Sequence, residues 1–188
     1  MEENNKLFIP IILGTAREGR ESEKVAKYIE RKARENFKLK TEIIDVKELD
    51  FTGTEGKGLA EKNPKFKTTI EKADGLIIVT PEYNHGYPGS LKITLDMLFE
   101  EYKHKCVGMV GVSRGGFGGA RVIENILPVI KDLSLVTIRP DLNFSNVEGL
   151  FDEAGKIKDE SYNGKVDVFL KELIWMTKTL KWGRENIS

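Results

Sequence analysis

The sequence predicts a single doubly wound α/β domain over residues 1–188. Five parallel strands in the order 2-1-3-4-5 lie between two helical layers, a three-layer sandwich. Three observations predict it. Short apolar runs alternate with charge-rich, amphipathic segments five times along the chain, the pattern of a parallel sheet covered on both faces. The apolar runs are continuous rather than alternating, as in strands buried on both sides. No linker, internal repeat or low-complexity tract divides the 188 residues, a length that suits one core.

The elements follow in order. Residues 7–13 form the first strand and end at Gly14, with Pro10 removing one ladder donor. The first helix carries Val25, Ile29, Ala33 and Phe37 every four residues among charges, with Ser22 as its N-cap. Residues 40–46 are the second strand. Residues 51–63, polar and Gly-rich, read as an exposed loop, and 64–73 as a short helix. Residues 75–80 are the third strand, around Leu76-Ile77-Ile78-Val79. Pro88 suits a first helical position, and Leu91, Leu95 and Leu98 form the apolar face behind it. Residues 106–112 are the fourth strand, 113–119 a glycine cluster, 120–131 a helix and 134–138 the fifth strand. After a long connection over 141–158, the residues Val166, Leu170, Leu173, Thr177 and Leu180 mark a final amphipathic helix.

Composition excludes several classes. Hydrophobic residues are 39% and charged residues 32%, and 30 basic side chains balance 30 acidic ones. Zero net charge gives no electrostatic reason for a nucleic-acid or anionic-membrane partner. The lone cysteine, Cys106, forms no internal disulfide, fits a reducing compartment and reads as a buried small hydrophobe. The polar, acidic first six residues are unlike a secretory leader. No apolar run approaches the roughly 20 residues of a membrane span. A cytoplasmic protein is expected. His85 and His104 have no partners at metal-ligand spacing, so no metal site is expected.

In the strand order 2-1-3-4-5, which is the flavodoxin-like one, strands 1, 3 and 4 are neighbours. The loops that follow them then share the carboxyl edge of the sheet. They are also the three most unusual stretches of the chain. The first is Gly14-Thr15-Ala16-Arg17-Glu18-Gly19-Arg20-Glu21-Ser22. Backbone N–H groups at a helix start favour an anion, and arginine grips phosphate with paired bonds. The Gly14…Gly19 spacing resembles a P-loop, but Arg20-Glu21 stands where Lys-Ser/Thr is required, which argues against an ATPase. A glycine turn with solvated arginines is the plainer alternative. The second loop is Thr80-Pro81-Glu82-Tyr83-Asn84-His85-Gly86-Tyr87-Pro88-Gly89. Aromatic rings beside free backbone donors suit a flat heteroaromatic ligand; alternatively its tyrosines pack on a neighbouring subunit. The third, Ser113-Arg114-Gly115-Gly116-Phe117-Gly118-Gly119, lets backbone approach a ligand closely, or is simply flexible.

Pro81-Glu82-Tyr83-Asn84-His85-Gly86-Tyr87-Pro88-Gly89-Ser90-Leu91-Lys92, continuing to Leu95-Asp96, resembles the NAD(P)H-dependent FMN reductase family of flavodoxin-like flavoproteins. Gly14-Thr15-x-Arg17-x-Gly19, the stretch 115–121 and Phe151-Asp152-Glu153-x-Gly155 are similar too. The resemblance implies one flavodoxin-like domain that binds FMN. Thr15, Arg17, Gly19, Arg20 and Ser22 would surround the phosphate. Pro81, Glu82, Tyr83 and Asn84 would lie along the isoalloxazine ring, and Ser113, Arg114, Gly115 and Gly116 at its pyrimidine edge. The family's first loop more often has Ser at position 15, and some members have Ser at 20 and Asn at 22. Thr15 keeps the hydroxyl, whereas Arg20 replaces a neutral donor with a charged one.

The resemblance also implies an oxidoreductase. Hydride passes from NADPH or NADH to bound FMN, and electrons go on to free flavin, a quinone, an azo compound or a metal oxyanion. The flavin carries the chemistry; no catalytic side chain is expected, and Glu82 has no paired acid. The loop 51–63 should border the site and influence the acceptor. Two other classes stay open: a flavodoxin-type electron carrier without nicotinamide chemistry, which the neutral charge and the arginine-bearing loop argue against, and a binding module for another nucleotide. A homodimer or homotetramer is expected, from the resemblance and from Met97, Phe99, Phe144 and Phe151, apolar beyond a monomer's evident need.

Overall fold

The computed structural model describes residues 6–53 and 55–187. The parallel sheet runs β2-β1-β3-β4-β5, with β1 Ile11–Leu13, β2 Ile43–Asp45, β3 Gly75–Pro81, β4 Cys106–Val112 and β5 Val136–Thr137. β3 and β4 form its centre and pair along seven residues, from Gly75 opposite Cys106 to Pro81 opposite Val112. Their side chains alternate between two cores. Ile77, Val79, Cys106 and Val110 face a layer made of α1 (Ser22–Phe37) and α6 (Ser161–Asn186). Leu76, Ile78, Val107 and Met109 face α2 (Lys57–Lys62), α3 (Pro64–Lys72), α4 (Gly89–Asp96) and α5 (Ala120–Asp132). Each fully buried Leu, Ile or Val contributes about 1.5–3 kcal/mol, so continuous apolar strands are favourable only with both faces covered. Val25, Ile29, Leu170 and Leu173 are fully buried at helical spacing, as their periodicity predicts. α6 lies close enough to β4 that a Cβ on Gly108 would sit 2.4 Å from the Phe169 ring.

Several elements differ from the sequence expectation. Pro10 splits the first strand into a bridge at Phe8 and β1 proper, although Ile9, Ile11 and Pro10 still exchange backbone hydrogen bonds with the neighbouring strands. Residues 51–63 are not a plain loop: they hold α2, whose Leu59 is fully buried. Position 54 lies outside the described residues. The connection over 141–158 contains a sixth strand, β6 (Leu142–Phe144), paired with Val110–Val112. β5 pairs with Cys106 and Val107 lower on the same edge of β4. The fifth strand position is therefore filled by two short segments, parted near Pro140, which cannot donate to a ladder. Ser22 is the first helical residue rather than the N-cap; Glu21 takes that place with no side-chain cap. Met97, Phe144 and Phe151 are buried within the subunit, and of the four residues read as surplus only Phe99 is exposed.

Candidate functional site

A cavity of about 340 Å³ opens at the carboxyl edge of the sheet. Its wall is drawn from the three loops after β1, β3 and β4, because adjacent parallel strands deliver their following loops to one edge. Arg17, Gly19, Arg20 and Ser22 line it from the first loop, Pro81, Glu82 and Tyr83 from the second, and Ser113, Arg114 and Gly115 from the third.

The first loop ends in an open helix start. Among the described residues, the N–H groups of Gly19, Arg20 and Glu21 donate to no group within the chain, and α1 has no side-chain cap. Ser22 Oγ and Arg20 Nε are buried without a hydrogen-bond partner. A buried orphan costs about 1–3 kcal/mol. Two of them beside free helix-start amides mark a place built for an anion. The rest of the Arg20 guanidinium is committed: it donates to the Asp45 carboxylate and, at 2.6 Å, to the Thr15 carbonyl oxygen. Arg17 differs. Among the described residues it has no ion pair, and it is poised 5.6 Å over the Tyr83 ring. It is the uncommitted cation of the wall.

The second loop is held against the first. Thr15 Oγ1 and Tyr83 Oη share a 3.0 Å hydrogen bond. Tyr83 and Gly86 exchange 2.9 Å backbone bonds across Asn84 and His85, both at positive φ (49° and 65°). This is the geometry of a type I′ turn, for which Asn is a favoured first residue. The turn puts Asn84 and His85 at an exposed apex. Glu82 lies below, with Oε2 buried and unpartnered and Oε1 3.8 Å from Arg121.

The glycine cluster serves two purposes. A Cβ on Gly118, at φ 58°, would lie 2.7 Å from the Asn143 backbone carbon, so this glycine is required by packing against β6. Gly115 and Gly116 meet nothing within 4 Å and are free on the open side. A 3-10 turn, Val147–Gly149, braces the loop: Val147 N–H donates to the Ser113 carbonyl, and Glu148 pairs with Arg114 at 2.8 Å.

Ten of the thirteen residues singled out from the sequence thus line the cavity. Thr15 is buried behind the wall, Asn84 sits on the turn apex, and Gly116 lies beyond the lining. Among the described residues, none of 51–63 lines this cavity; Leu59 and Ala60 of α2 pack into the second core. The lining also includes Glu21, Val112, Phe117, Arg121 and Val147, which sequence reasoning missed; the Glu21 carboxylate is paired with Lys24 at 2.8 Å. Arg121 stacks 4.6 Å over Phe117, and its place in the first turn after the glycine loop was a readable signal. Val147 had none, since it depends on β6.

The family described as NADPH-dependent FMN reductase matches residues 8–149. An NADPH azoreductase of Bacillus sp. (strain OY1-2) is 34% identical over 118 residues, 62% of this chain and 64% of that protein, so the match spans just under two thirds of the relative. A quinone reductase of Pseudomonas putida is 27% identical over 163 residues, 81% of this chain and 86% of the other. Among solved structures, the flavoenzyme NAD(P)H:(acceptor) oxidoreductase from Paracoccus denitrificans superposes with a TM-score of 0.76 at 22% identity, over 90% of this chain and 98% of that one; this likeness bears on the fold. With most of its length matched and the open helix start in place, the chain belongs to the NADPH-dependent FMN reductase family.

Proposed function

We propose that the cavity holds FMN with its phosphate at the start of α1 and its ring between the second and third loops. The observation that carries this reading is the cluster of unpartnered groups at one end of the cavity: three free amides, Ser22 Oγ, Arg20 Nε and the uncommitted Arg17. Arg17, Gly19, Arg20 and Ser22 would hold the phosphate. Thr15 acts through Tyr83, which it positions. Pro81, Glu82 and Tyr83 would lie along the ring, with Asn84 shaping their turn. Ser113, Arg114, Gly115 and Gly116 would meet its pyrimidine edge.

As a member of its family the protein is an NAD(P)H-dependent oxidoreductase working with FMN. Bound FMN supplies the two-electron chemistry, taking hydride from NADPH or NADH and passing electrons to a small acceptor. The side chains bind, orient and exclude water. The names of the relatives favour a quinone or an azo compound as acceptor. No described helix is long and apolar enough to cross a membrane, which accords with a cytoplasmic location. Exposed Ile93 and Phe99 at 38% and 52% support self-association as a homodimer or homotetramer.

The visible spectrum before and after adding FMN is the first test; a protein that takes up no FMN removes the reading. Steady-state oxidation of NADPH and NADH over a quinone and an azo dye is the second. FMN uptake without turnover on either would point to a flavodoxin-type electron carrier.

A further inference from the structure

The outer face of α6 carries a straight apolar seam. Val168, Trp175 and Trp182 are 60%, 59% and 61% exposed. They are seven residues apart, so each lies only ~20° around the helix from the last. At ~100° per residue, the buried Val166, Leu170, Leu173 and Thr177 all fall on the opposite side. Both tryptophans of the chain are on this seam. Isolated exposed apolar residues are ordinary, but a line of them with two Trp on a core-packed 26-residue helix is a surface with a purpose.

We propose that this seam pairs with the same seam of a second copy, the two α6 helices running parallel about a two-fold axis. The inference rests on the reading that the chain self-associates, and it assigns a face on α6, in the layer opposite the one that bears Ile93. The flanking charges choose the partner and its direction. Lys171 and Glu172 stand on the two sides of the seam, ~40° and ~60° from Trp175. In a parallel, in-register pair, Lys171 of each copy meets Glu172 of the other at the same height, on both sides. Val168, Trp175 and Trp182 each meet their own counterparts. In an antiparallel pair centred on Trp175, Lys171 faces Lys178 of the other copy and repels it. The seam is thus self-complementary in one orientation. A membrane surface fits less well. Interfacial helices offer a broad apolar face with a cationic border, whereas here the broad face is packed on the sheet and the border is mixed, with Glu172 and Glu185 beside Lys171 and Lys178. A Trp side chain buries ~150–250 Å², so two Trp and one Val give several hundred Å² per copy. That is less than the ~800 Å² per partner of a standard interface, and the contact is expected to be reversible.

Sedimentation velocity of the FMN-loaded full chain over a range of concentrations tests this. The wild type should show a mass that rises with concentration, and Trp175→Lys should remove that rise. Lys171→Glu should weaken association, and adding Glu172→Lys to it should restore it. Val168, Lys171 and Trp175 are exposed on the helix surface and Glu172 is half-buried, and FMN content checks the fold of each variant. Val168→Cys should form an intermolecular disulfide on oxidation, because Cys106 is buried and the introduced thiols face each other only in the parallel pair. If Lys171→Glu tightens association instead, the parallel arrangement is wrong. If the wild type associates and Trp175→Lys leaves its mass unchanged, the seam is not the interface, while self-association stands. A wild type that is monomeric throughout removes both. A monomer that co-sediments with phosphatidylglycerol vesicles through Trp175 reassigns the seam to lipid and overturns the pairing.

Discussion

Ser22→Ala should make the free protein more stable and its hold on FMN weaker. Ser22 Oγ is fully buried and has no partner within the chain, so its desolvation is uncompensated, a cost of about 1–3 kcal/mol. The residue also opens α1, where Ala has the better helix propensity by roughly 0.5 kcal/mol. Both effects favour the variant without ligand. A gain of about 1 kcal/mol raises the melting temperature by about 2–4 °C in a chain of this size. With FMN bound the sign reverses. A hydrogen bond to a charged phosphate is worth about 1.5–3 kcal/mol, so the dissociation constant should rise ~10- to 100-fold. Riboflavin, lacking the phosphate, should be nearly indifferent. Thermal unfolding of the flavin-free protein and titrations followed by flavin fluorescence give the three quantities. A fall in the stability of the free protein would show that the hydroxyl is engaged in the fold. Equal losses for FMN and riboflavin would show that it does not serve the phosphate.

Arg17→Ala removes the cation of the wall that has no carboxylate partner; FMN should weaken by ~10-fold or more and riboflavin little, and equal weakening in the same titrations would place the phosphate elsewhere. Gly118→Ala forces a Cβ to within 2.7 Å of the Asn143 backbone at positive φ, so denaturant unfolding should show a loss of about 2–4 kcal/mol. Gly116→Ala, with nothing within 4 Å, should lose far less; similar losses refute the division of the glycine cluster. Burial, reinforced by the Arg184 charge, lowers Lys105 from 10.5 to about 8. The folded chain therefore binds fewer protons than the unfolded one between those values, and stability rises with pH there. Relative to Lys105→Met, the wild type should gain roughly 2–3 kcal/mol between pH 7 and 10; a difference that stays flat in urea midpoints contradicts this.

The layered fold was legible because burial on both faces leaves no room for polar side chains in the central strands. Cys106–Val112 is uninterrupted in the sequence and in the structure. Legibility failed where a segment is short and its partner distant. β6 is three residues long, Leu-Asn-Phe, and Asn143 interrupts its apolar pattern; only the neighbouring edge of β4 makes it a strand. α2 has six residues, too few for a periodic signal, and is fixed by burying Leu59. Met97 and Phe144 looked surplus for the same reason, since the elements that cover them are remote in sequence. At the site, residue types at loop positions identified most of the wall. They could not reveal that Thr15 is occupied with Tyr83, or that the bulk of Arg20 is occupied with Asp45.

Those commitments give the cavity a direction. Four arginines line it, which by composition alone would make it a general anion trap. Three are matched: Arg20 to Asp45, Arg114 to Glu148 at 2.8 Å, and Arg121 to Glu82 at 3.8 Å. A cation beside its carboxylate keeps its hydrogen-bonding edge and loses most of its far field. The free positive potential is thus confined to Arg17 and the amides at the start of α1. The far wall offers neutral pairs, aromatic faces and open glycine backbone. A ligand with a dianion at one end and a neutral ring at the other can satisfy both ends in only one orientation. Replacing Glu148 or Glu82 would spread positive charge along the wall and erode that distinction, although neither carboxylate pairs with Arg17 or the start of α1.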